Sequence, residues 1–105
     1  MPPIELIVEA DEPALFFSSV GGAEAYLEAI DVRDGVYPVA YGPDGQVFKL
    51  EAIGDRVRIA SVEGSKAPDD LRALLLRYLS AVKVHDVKST ETLSGLLAIC
   101  EAEAS

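Results

Sequence analysis

Two apolar alternations mirror each other across Gly54-Asp55. A Gly-Asp pair between β-prone runs is the signature of a two-residue hairpin turn. With that loop length Ala52 faces Val57, Leu50 faces Ile59 and Phe48 faces Ser61. One side of the pair is then apolar, while Lys49, Glu51, Arg56 and Arg58 occupy the other. An isolated hairpin with one oily face is marginal in water, so the rest of the chain must supply further strands and a cover for that face.

The preceding residues extend the sheet. Tyr37-Pro38-Val39-Ala40-Tyr41 is a strand, and Gly42-Pro43-Asp44-Gly45 places Pro and Gly where a type I turn with a glycine bulge requires them. Pro38 cannot donate to a ladder, which puts the strand from Val36 to Tyr41 at an edge. One bulge residue exchanges which of Val39 and Ala40 points inward, so both registers stay open here. Ile4, Leu6 and Val8 alternate with Glu5 and Glu9 as in a half-buried strand, with Ile7 blurring the pattern. Leu15-Phe16-Phe17 is a short apolar strand or turn.

Helical spacing begins after Ser19, an N-cap residue. Val20, Ala23, Leu27 and Ile30 form one stripe, and Glu24, Glu28 and Asp31 line the adjoining flank. Gly21 and Gly22 weaken the first turn by roughly 1 kcal/mol each relative to Ala. Leu71, Leu74, Leu75, Tyr78, Leu79 and Val82 recur at the spacing of a longer helix, with Asp69 and Asp70 at its start and Lys83 near its end. Leu76 falls off that stripe. Leu93, Leu96, Leu97 and Cys100 mark a short terminal helix. The order predicts an α+β fold: a small antiparallel sheet of three to four strands, with two or three helices on one of its faces, forming a single domain over residues 1–105.

Charge narrows the function. The chain carries 18 acids and 9 bases, for a net charge of -9. Residues 1–55 hold eleven of the acids and only two bases, Arg33 and Lys49, whereas residues 56–105 are neutral. Such a field repels nucleic-acid backbone and anionic lipid and attracts a basic partner. A lone cysteine, Cys100, excludes an internal disulfide and suits a reducing compartment. The first residues have neither a basic n-region nor a long apolar core, and the apolar runs are too short for a membrane span. The expected location is the cytoplasm.

Chemistry is sparse. His85 sits beside Asp86 near a helix end, where the dipole alone favours it. Cys100 completes an apolar stripe as a small hydrophobe. No P-loop or dinucleotide fingerprint is present. Neither Glu9, Asp11 and Glu12 nor Asp31, Asp34 and Asp44 match a calcium loop. No cofactor or metal is expected, and the chain does not read as an enzyme. The remaining reading is a partner site in which Glu24, Glu28 and Asp31, with Asp11, Glu12 and Asp34 at the approaches, receive Arg and Lys. Tyr26, Tyr37 and Tyr41 would supply aromatic anchors.

The run Leu15-Phe16-Phe17-Ser18-Ser19-Val20-Gly21-Gly22-Ala23-Glu24-Ala25-Tyr26-Leu27-Glu28-Ala29-Ile30-Asp31-Val32, continued by Gly35-Val36-Tyr37 and the Ala40-Tyr41-Gly42-Pro43-Asp44-Gly45 hairpin, resembles immunity proteins of bacterial polymorphic or contact-dependent toxins. The resemblance spans at most residues 15–80 and transfers no individual binding residue. It implies a cytoplasmic antitoxin that masks a cognate toxin domain, commonly a nuclease with a basic substrate channel, its acids standing where substrate phosphates would lie. Two alternatives come from the residues themselves: a homodimeric adaptor pairing through the Pro38 strand or Leu76, and a small carboxylate enzyme.

Overall fold

The computed structural model describes residues 4–11, 13–84, 87 and 91–104, so Glu12, His85 and Asp86 lie outside the described residues. Five strands, β1 (Leu6–Glu9), β2 (Ala14–Phe17), β3 (Ala40–Tyr41), β4 (Gln46–Ile53) and β5 (Arg56–Lys66), form one antiparallel sheet in the order β2-β1-β3-β4-β5. Among the described residues four helices pack against it: α1 (Val20–Tyr26), α2 (Ala29–Arg33), α3 (Pro68–Ala81) and α4 (Leu93–Ala104). The fold is thus α+β with an antiparallel sheet, larger than expected from sequence because Leu15-Phe16-Phe17 pairs with β1 and because the first helix divides in two.

The second hairpin has the expected register, with Ala52 opposite Val57, Leu50 opposite Ile59 and Phe48 opposite Ser61. In the first hairpin Ala40 pairs with Phe48 and Tyr41 with Val47, and both Val39 and Ala40 point into a core, Ala40 under α1 and α2 and Val39 under α3 and α4. Its turn closes through Gly45 N–H to Gly42 C=O at 3.0 Å and Gly42 N–H to Gln46 C=O at 2.8 Å, with Gly45 at φ +89°. Those bonds are the glycine-bulge turn read from Pro43 and Gly45.

Two expectations are corrected. Helices cover both faces of the sheet, not one. Leu6, Val8, Ala40, Val57 and Ile59 pack with Ala23 and Leu27 of α1 and Ala29 of α2. Ile7, Ala14 and Tyr41 pack with Leu71, Leu74, Leu75 and Leu79 of α3 and Leu96 and Cys100 of α4. This explains Ile7: a strand buried on both sides carries a continuous apolar run instead of an alternation. The strand after Pro38 is also central, flanked by β1 and β4. Pro38 is tolerated because the ladder of β3 starts two residues later, and the true edges are β2 and β5.

Ser19 caps α1 by accepting the Gly22 N–H at 2.9 Å. α1 ends at Leu27, and Leu27 and Glu28 are both extended (ψ 146° and 137°) before α2 begins. The break keeps Leu27 in the core but rotates Ile30 outward, where it is 59% exposed; Ala29 takes the inward position. α3 starts with Pro68 and ends in a Schellman motif, Lys83 N–H donating to Ser80 C=O at 3.1 Å and Val84 N–H to Leu79 C=O at 2.8 Å, with Lys83 at φ 64°. α4 is capped by Thr92 Oγ1, which accepts the Gly95 N–H at 3.0 Å. The Arg72 guanidinium donates to the Glu91 carbonyl, fastening the start of α4 to α3.

The β4–β5 ladder slips once. Gln46 pairs with Lys66 and Phe48 with Ser61, so residues 62–65 bulge out opposite Val47. Gln46 fills the bulge: its Nε2 donates to Val62 C=O at 2.7 Å and Ser65 C=O at 3.0 Å.

Candidate docking surface at the helix junction and hairpin tip

The tip of the β4–β5 hairpin folds against α1 and α2. In a two-residue hairpin the pair next to the turn, Ile53 and Arg56, exchanges hydrogen bonds, so the N–H groups of Val57 and Ile59 point away from β4. β5 is an edge strand, and those donors need partners from elsewhere. For Ile59 the partner is Glu24 of α1, whose Oε2 accepts its N–H at 2.8 Å. On α2 the Arg33 guanidinium donates to the carbonyl of Gly54 in the turn itself. The helix junction and the tip are therefore tied by one bond from each helix.

Two open cavities lie along this seam. One, of 450 Å³, is lined by Gly21, Glu24, Ala25, Leu27, Asp55, Arg56 and Val57. The other, of 360 Å³, is lined by Leu27, Glu28, Ala29, Ile30, Arg33 and Asp55. Leu27 and Asp55 belong to both, so the pair forms one interrupted groove with an apolar floor of Leu27, Ala29 and Val57. Ile30, 59% exposed, stands in its wall.

The residues singled out from sequence disperse. Glu24 and Glu28 line the groove, Glu24 through a carboxylate already committed to Ile59 and Glu28 from the exposed N-cap of α2. Asp31 is half-buried in the first turn of α2, and Asp34 is its exposed C-cap. Asp11 is exposed in the β1–β2 turn, and Glu12 lies outside the described residues. Tyr37 is half-buried against the α1–α2 core. Tyr41 belongs to the opposite core, where burial, then the charges of Asp70 and Glu9, push its hydroxyl above the usual tyrosine range. Tyr26 is the exposed ring of the three, tilted against Phe17 with centroids 5.6 Å apart.

Sequence reasoning missed Asp55 as a site residue. Its place at a hairpin tip was legible, but the meeting of that tip with α2 is a long-range contact with no local signature. Asp44 pairs with Lys66 at 3.3 Å in the β3–β4 turn, away from Asp31 and Asp34 of α2, and Glu9 pairs with Arg77 at 3.3 Å, while Glu12 lies outside the described residues. Among the described residues no group of three or more His, Cys, Asp or Glu is placed to hold a metal ion, and no helix is long and apolar enough to cross a membrane. Cys100 is fully buried, and burial pushes its thiol up to about 12, so it packs as a small hydrophobe instead of serving as a thiolate. Comparison with protein families, curated proteins and solved structures gives no match.

Proposed function

We propose that this chain is a binding protein of the immunity type, which blocks a basic toxin domain by docking it on the groove between the α1–α2 junction and the β4–β5 tip. One observation carries the reading: an apolar-floored groove shared by Leu27 and Asp55, with the exposed side chain of Ile30 beside the carboxylates of Glu28 and Asp55. Apolar anchors inside a charged rim are the usual composition of a protein-binding patch. Neither Glu28 nor Asp55 takes part in an ion pair among the described residues, so both are available to a cationic partner. The acidic excess of residues 1–55 would speed encounter with such a partner.

Glu24 belongs to the scaffold of this surface and not to its reactive rim, because reversing its charge would strip Ile59 of its acceptor. The test therefore uses Glu28 and Asp55. The chain is co-expressed with the product of the adjoining gene, and the complex is measured by calorimetry. A stoichiometric complex weakened at least about tenfold by Glu28→Lys with Asp55→Lys supports the reading, since a close charge pair is worth about 1.5 kcal/mol or more. An unchanged affinity refutes this surface.

A further inference from the structure

The reverse side of the same hairpin carries the opposite sign. The register places Lys49 opposite Ala60, Glu51 opposite Arg58 and Ile53 opposite Arg56, so these six residues alternate onto the face turned away from α1 and α2, with Arg56 at its margin, where it also borders the groove. The core under α3 and α4 draws on β4 only as far as Val47, and no described helix covers the hairpin beyond it. Lys49, Ile53, Arg56 and Arg58 are exposed there, and the one carboxylate, Glu51, is held by Lys49 at 2.8 Å. Three cations against one acid make a positive island on a chain of net charge -9.

From this pairing of faces we infer that the chain associates weakly with itself, the Lys49/Arg56/Arg58 face of one copy resting on the exposed acids at the two ends of α2, Glu28 and Asp34, in the next. Charge complementarity selects the occupant. A second copy shares the net charge of -9 but offers discrete exposed acids to these cations, Glu28 and Asp34 at the two ends of α2 and Asp55 at the hairpin tip. An isologous contact of the cationic face with itself would oppose like charges, so the contact is heterologous, head to tail. Because the two faces lie on opposite sides of one hairpin, such a contact does not close at two copies. The face is three residue pairs across two strands and rests on exposed charges, which makes the association weak and dependent on salt. Glu28 is shared with the docking groove, so a bound partner and a second copy would exclude each other, although the self-association stands whether or not the toxin reading does.

The test is sedimentation equilibrium of the purified full chain in about 10 mM salt, where charges act over about 30 Å, and in about 1 M salt, where they act over about 3 Å. The expected result is a weight-average mass that rises with concentration above the 11.2 kDa monomer in low salt only. Arg56→Glu with Arg58→Glu should abolish the rise, as should Glu28→Lys with Asp34→Lys. Mixing the two variants should restore it, although both remain net negative and would repel if only total charge mattered. Amide chemical shifts of the wild-type chain on dilution should move at both faces, which gives a second readout should a variant fail to fold. A monomer at every concentration in low salt, or association that persists in Arg56→Glu with Arg58→Glu, overturns the proposal.

Discussion

Glu24 Oε2 accepts the outward N–H of Ile59 at 2.8 Å, across 35 positions of sequence. A helix side chain thereby closes part of the open edge of β5, the longest strand of the sheet, and holds α1 against the hairpin that carries Asp55. Removing the acceptor should cost about 1–3 kcal/mol, the penalty of a part-buried donor left without a partner. Glu24→Ala is expected to lower the unfolding free energy by that amount and to open the Ile59 amide to fast hydrogen exchange. Glu24→Gln, which retains an acceptor, should keep most of the protection. An Ile59 amide equally protected in Glu24→Ala would show that the bond contributes nothing.

Gln46 is the plug of the β4–β5 bulge, and its Nε2 serves the carbonyls of Val62 and Ser65 across the bulge besides that of Val47 on its own strand. Gln46→Leu leaves both bulge acceptors unmet and should destabilise by about 1–3 kcal/mol in denaturant titration. Gln46→Glu should cost at least as much, since it sets a carboxylate oxygen against the same carbonyls. A smaller loss for Glu than for Leu would contradict the assignment.

Two positions with φ above zero should respond with opposite signs. At Gly45 a Cβ would lie 2.7 Å from Pro68 Cα, a backbone atom at the start of α3, so Gly45→Ala combines a left-handed strain with a collision. A loss above about 2 kcal/mol is expected. Lys83 occupies the left-handed position of the α3 Schellman motif at φ 64°, where glycine is the preferred residue. Lys83→Gly should therefore raise stability by about 0.5–1 kcal/mol, read as a melting temperature higher by a few degrees. A lower melting temperature in Lys83→Gly would count against the motif.

Burial pushes the Cys100 thiol up to about 12. In the unfolded chain the thiol ionises near pH 8.5–9 while in the native chain it stays neutral, so the unfolded state gains stability as pH rises. The contribution of Cys100 is thus complete below about pH 8.5 and is lost between there and about 12. A thiol reagent at pH 8 should label the native chain no faster than it unfolds. Rapid labelling at full nativeness would contradict the burial.

Much of the fold was legible because it is written in short-range patterns. Gly54-Asp55, Pro43 and Gly45 specify their turns through backbone geometry, and the α3 stripe from Leu71 to Leu79 is buried as its spacing requires. The misreadings came from long-range events. Pro38 excludes only its own position from a ladder and cannot reveal that β1 pairs with Ala40 and Tyr41. Ile30 keeps helical spacing with Leu27, but two extended residues between α1 and α2 turn it outward. The candidate site was the least legible part. Glu24 and Asp55 come together because the hairpin tip meets the helix junction, whereas Tyr41, equally plausible as an aromatic anchor, is carried into the opposite core.

Docking of a basic protein partner on the seam between the α1–α2 junction and the β4–β5 tip is read by hydrogen exchange of the chain alone and in its stoichiometric complex. Added protection is expected at residues 21–30 and 53–57, with the β1–β2 turn and α3 unchanged. Protection confined to the β1–β2 turn, to α3 or to α4, with the seam exchanging as in the free chain, would contradict it.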